Sequence, residues 1–130
     1  MNTQITTQST LHRVLEANAV FSATSGLFFL VASKPLGEFL GASPLVMNIL
    51  AIVMFGYAAL ITFNTSRPVI SRSFTLFTVI GDSAWVLGSI LLLILPLFNF
   101  TADAKWAIGI TAICVDVFAT LQFLQWRKMD

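Results

Sequence analysis

Of 130 residues, 57% are hydrophobic and only 10% are Asp, Glu, Lys or Arg. Mean hydropathy is +0.88 and the net charge is +1. A soluble domain carries about 25% charged residues, so this composition excludes an ordinary water-facing surface and predicts a chain solvated by a lipid bilayer. The near-neutral charge, with no basic run, excludes nucleic acid as a partner. One His and one Cys supply no haem, zinc or iron–sulfur constellation, so neither a metal nor another cofactor is expected.

A membrane-crossing helix needs about 20 mostly apolar residues, and the chain offers four such stretches within a single domain over residues 1–130. The first is expected over 13–33, entered through Ser9 and Thr10 as N-caps and stopped by Lys34-Pro35-Leu36-Gly37. The second, over 44–63, opens at Ser43-Pro44, a cap followed by proline at the first helical position, where its missing N–H costs nothing. The third covers 74–95, with Pro96 at its end. The fourth covers 106–126 after Thr101-Ala102-Asp103, a cap with an acid in the first turn. Trp106 and Trp126 stand 20 residues apart. At 1.5 Å per residue that is about 30 Å, the spacing of anchors at two membrane interfaces. The expected fold is an all-α integral membrane protein, a four-helix up-down-up-down bundle.

Arg13, Arg67, Arg72, Arg127 and Lys128 fall at one end of the predicted bundle, against Lys34 and Lys105 at the other. By the positive-inside rule both termini are cytoplasmic. A weak repeat supports two duplicated helical hairpins: Asn18, Phe21 and Ser25 in the first span match Asp82, Trp85 and Ser89 in the third at identical spacing. Such a repeat would be parallel, about an axis along the membrane normal.

Polar side chains inside spans carry the functional information, because an acid at a helix centre costs about 2.5–3.5 kcal/mol to insert. Thr75, Thr78, Asp82 and Ser89 form one stripe at three-and-four spacing. Gly109, Ala112, Asp116, Ala119 and Phe123 form a second, Asn48, Ala51, Phe55, Ala58 and Thr62 a third, and Asn18, Ser22, Ser25 and Phe29 a fourth. Small and polar stripes favour helix interfaces, so Asn18, Asp82 and Asp116 are expected to share an interior. Glu16, about 200° around the helix from Asn18, is expected at the rim, paired with His12 or Arg13. Cys114 reads as a buried packing residue, and Tyr57, Trp85 and Phe55 read as packing aromatics.

Asp82 and Asp116 have no basic residue within the spans. Three states suit such acids: a protonated carboxyl, a pair with Arg13, Arg67 or Arg72 from the rim, or a site for a cation or cationic ligand. The leading expectation is binding or transport of a small cationic or protonatable species, by a homo-oligomer. Asp82 and Asp116 would be the acceptors, with Asn18 and Ser89 as their hydrogen-bond partners. The alternative is a non-catalytic accessory subunit that packs against a larger membrane complex through the same stripes. No nucleophile–base pair is identifiable, so no catalytic residue is assigned.

Overall fold

A computed structural model describes residues 2–95 and 100–129, which form five helices and no strand. In chain order they are α1 (Asn2–Val31), α2 (Ser33–Leu40), α3 (Pro44–Thr65), α4 (Arg72–Ile94) and α5 (Ala102–Lys128). All but α2 are long and apolar enough to cross a membrane. The stop expected at Pro96 lies outside the described residues.

Two N-termini form at the caps the sequence suggests, Ser43 and Thr101, and α4 is capped the same way by Ser71. The hydroxyls of Ser43, Ser71 and Thr101 accept the backbone N–H of Val46 at 3.3 Å, Phe74 at 3.1 Å and Ala104 at 3.1 Å. Each satisfies a donor that has no partner within its helix.

The first helix departs from expectation. It begins well before residue 13, so Ser9 and Thr10 are internal and cap nothing. Tertiary contacts extend it. The Gln8 amide donates to the Ile70 carbonyl at 3.1 Å and accepts the Ile70 N–H at 2.9 Å. Gln4 donates to the Lys128 carbonyl at 2.7 Å, and Thr7 and Leu11 are buried. The two ring nitrogens of His12 lie 2.7 and 2.9 Å from the carbonyl oxygens of Gln8 and Arg67. The start of α1, the α3–α4 connection and the end of α5 therefore meet at one end, around Leu11, Leu15, Ile61, Ile70 and Met129.

The segment Lys34-Pro35-Leu36-Gly37, expected only to stop the first span, lies in α2. Pro35 sits in its first turn, where an absent N–H leaves no bond unmade. Gly41 ends it in the left-handed region at φ 72°, with its N–H bonded to the Glu38 carbonyl and that of Ala42 to the Gly37 carbonyl. A side chain at Gly37 would place its Cβ 2.6 Å from the Ala42 carbonyl oxygen, so this closure requires glycine there.

The long helices pack as two pairs, α1 with α3 and α4 with α5, joined through α1 and α5. At Gly26 the backbone of α1 comes so near α3 that an added Cβ would lie 3.2 Å from the Ala51 carbonyl. Between α3 and α4, Tyr57 makes the principal contact, through hydrogen bonds and its ring against Phe77. The exterior is apolar along its length, with Leu45, Ile52, Ile80, Ile94 and Ile113 all exposed.

Candidate functional site

The polar stripe of α4 lies where its spacing puts it, with Thr75, Thr78, Asp82 and Ser89 all buried. Asp82 is 4% exposed, at the point where the four long helices converge. Its Oδ2 accepts Asn18 Nδ2 from α1 at 2.8 Å and Gln122 Nε2 from α5 at 2.9 Å. Its Oδ1 accepts the Tyr57 hydroxyl from α3 at 2.9 Å. The same hydroxyl lies 3.3 Å from the Thr78 carbonyl. One phenolic proton serves one acceptor, and the shorter contact to the carboxylate is the bond. Asn18 closes the ring by donating its second amide hydrogen to Gln122 Oε1 at 2.7 Å, while its own Oδ1 accepts from Ser22 at 3.3 Å.

A carboxylate offers about four lone-pair directions. Three are filled at Asp82, all by neutral donors, and the open one is on Oδ1 beside Tyr57. Among the described residues no Lys, Arg or His reaches it. Arg67 lies over the Phe63 ring at 4.7 Å and Arg72 over the Trp126 ring at 4.1 Å, while Arg13 is exposed. Rim arginines therefore do not neutralise the buried acid. The arrangement holds the carboxyl in place by directed neutral dipoles, with no opposite charge beside it among the described residues.

Several expectations need correction. Asp116 does not share this interior: it is exposed on the outer face of α5, beside Ile113 and Val117. The buried stripe of α5 is Ala112, Val115, Ala119, Gln122 and Gln125, so Phe123 also points outward. In α3 the buried stripe is Met47, Ala51, Met54, Ala58 and Ile61, which leaves Asn48 and Phe55 half-buried and Thr62 exposed. Ser89 is buried but donates to the Trp85 carbonyl of its own helix at 2.9 Å, not to an acid. Glu16 is exposed and, among the described residues, makes no ion pair, because His12 turns to the Gln8 and Arg67 carbonyls. Cys114 is exposed rather than buried. Trp106 stands out at 71% exposure, whereas Trp126 is covered by Arg72.

Tyr57 and Gln122 are the members of the network that sequence reading missed. The repeat held a signal for both: Tyr57 follows Asn18 by 39 residues and Gln122 follows Asp82 by 40. Each half thus supplies one polar residue from each of its two long helices, and the equivalent positions Asn18 and Asp82 bond to each other.

On the far side of the network from the chain ends, the two helix pairs splay around an open-sided cavity of about 1570 Å³. The other members of the repeat line it: Phe21 and Ser25 on α1, Trp85 and Ser89 on α4. The α2 segment and the turn after it border its other end through Leu36, Phe39 and Ser43. No family model, no curated protein and no solved structure matches the chain.

Proposed function

We propose that this chain is a multi-pass membrane protein with both termini cytoplasmic, and that it binds or moves a small cationic or protonatable species with Asp82 as the acceptor. The observation that carries the reading is the buried Asp82 carboxyl, bound by three neutral donors from three other helices and by no basic group. Burying a charge is expensive unless it is paired. A carboxyl held ready with one lone-pair direction open suits a proton or cation supplied from outside the chain. The apolar exterior of four sufficiently long helices supports insertion, and the five-to-two distribution of Lys and Arg supports the orientation. Asp116, outside the bundle interior, has no part in this site. The test is flux of protons and monovalent amines into proteoliposomes: Asp82→Asn abolishes it and Asp116→Asn leaves it unchanged. Wild-type flux in Asp82→Asn would refute the reading.

Asp116 favours a second reading, the accessory subunit. A carboxyl on an apolar mid-helix face is costly against lipid, and a protein neighbour covering α5 would remove that cost. Under this reading Asp116→Leu releases the chain from a larger membrane complex, or separates two copies of it, without changing the Asp82 network. Recovery of the same assembly with Asp116→Leu would exclude it.

A further inference from the structure

We infer that the cavity between the helix pairs takes an amphipathic amine, a long or multi-ring apolar body carrying one protonated nitrogen, with the nitrogen at the Asp82 end. This inference rests on Asp82 as the acceptor of positive charge and names the class of molecule that brings the charge.

Size argues first. Sites for drug-sized ligands measure roughly 300–1,000 Å³. At about 1570 Å³ this cavity is far larger than a bare cation or methylated ammonium would fill. Among the described residues no cluster of three or more His, Cys, Asp or Glu side chains could hold a metal ion.

The lining argues second. Phe28, Phe29, Phe39, Met47, Leu50 and Leu92 give the walls an apolar character suited to an extended hydrocarbon or stacked rings. Ser, Thr and Trp side chains supply the polar groups on the walls, and among the described residues no charged side chain lines the cavity.

The floor argues third. Phe21 lies three residues beyond Asn18 and Trp85 three beyond Asp82, an axial rise of about 4.5 Å on a helix. Two aromatic residues that line the cavity, Phe21 and Trp85, therefore stand about one turn beyond the network residues of their own helices. An ammonium resting on the Trp85 ring would gain from its face and from the uncompensated carboxyl one turn below. A neutral headgroup would gain from neither. Ser25 and Ser89, at matching depth on α1 and α4, stand beside that position as hydroxyl acceptors.

The test is saturation binding of tritiated dodecylamine to the full chain in nanodiscs, corrected against empty nanodiscs, with dodecylamine, dodecanol and methylamine as competitors. The expected result is saturable binding that unlabelled dodecylamine displaces and the other two do not. Asp82→Asn should weaken it about tenfold, through loss of the acid one turn below the bound nitrogen. Gly88→Phe should do the same from the opposite direction. Gly88 lines the cavity and has no atom within 4 Å of an added Cβ, so the substitution adds its bulk from the cavity wall. Circular dichroism checks that both variants remain helical, and Gly88→Phe keeps the test decisive if Asp82→Asn does not fold. Displacement by methylamine as effective as by dodecylamine, lost in Asp82→Asn, would overturn the ligand class and leave the Asp82 reading standing. Equal displacement by dodecanol would overturn the requirement for charge. Undiminished binding in Asp82→Asn would overturn both.

Discussion

The two ends of the bundle are built by different means. At the end that gathers both termini, α1, α3, α4 and α5 are held by Leu11, Leu15, Ile61 and Ile70, by the Gln8–Ile70 bond pair, and by the Asn18–Asp82–Gln122–Tyr57 network. At the other end the helix pairs part around a cavity walled by aromatic side chains, with the short α2 along its border. Directed polar bonds and a buried apolar cluster fix four helices at one end, whereas the open end has no such polar bonds among the described residues. In a membrane this difference is physical, because lipid is as apolar as leucine and polar contacts with close backbone packing determine where helices associate. A closed end beside an open, apolar one gives a pocket with the Asp82 network beneath it.

Breaking the closed end should be costly. Asn18→Leu removes the bonds to both Asp82 and Gln122 and leaves a buried carboxyl short of a donor. A loss of about 3 kcal/mol is expected, from hydrogen bonds to charged groups worth about 1.5–3 kcal/mol each. Reversible unfolding in mixed micelles, followed by circular dichroism, would measure it. Tyr57→Phe removes one bond and loosens α3 from α4; about 1 kcal/mol should be lost in the same assay, within the range for interhelical bonds in membranes.

The open end should respond differently. Gly88 lines the cavity and its added Cβ meets no atom within 4 Å, so the stability of Gly88→Phe should stay within about 0.5 kcal/mol of wild type, as for substitutions that disturb no packed contact. Ligand binding should fall all the same. Ser89→Ala should have the smallest effect of all, below about 0.5 kcal/mol, because the hydroxyl bonds only the Trp85 carbonyl of its own helix. A large loss of stability in either variant would mean that the two ends are not distinct.

How much of this was legible in the sequence depended on how sharply each helix marked its inner face. In α4, four polar residues at three-and-four spacing admit one rotation, and all four are buried. In α5, Ala112 and Ala119 belong equally to a stripe through Asp116 and to one through Val115 and Gln122. Neighbouring residues differ by about 100° around a helix, so small residues alone did not fix the rotation. The acid suggested the wrong stripe. The bonds Gln122 makes to Asn18 and Asp82 determine the right one, and they depend on residues 104 and 40 positions away. The same one-position shift misplaced the α3 stripe, where Met54 and Ile61 are buried in place of Phe55 and Thr62. The extension of α1 and the folding of α2 were hidden for a related reason. The first depends on Gln4 and Gln8 reaching the α5 end and the α3–α4 connection, the second on Gly37 admitting the Ala42 carbonyl.

On the proposed function, the Asp82 carboxyl receives the positive charge of whatever the protein binds. Infrared difference spectroscopy on protein labelled at its aspartate carboxyl carbons tests this most directly, with and without saturating dodecylamine. The account requires a shift in the carboxyl bands that survives in Asp116→Asn and disappears in Asp82→Asn. Carboxyl bands that stay unchanged in the wild-type protein at saturating amine would contradict it.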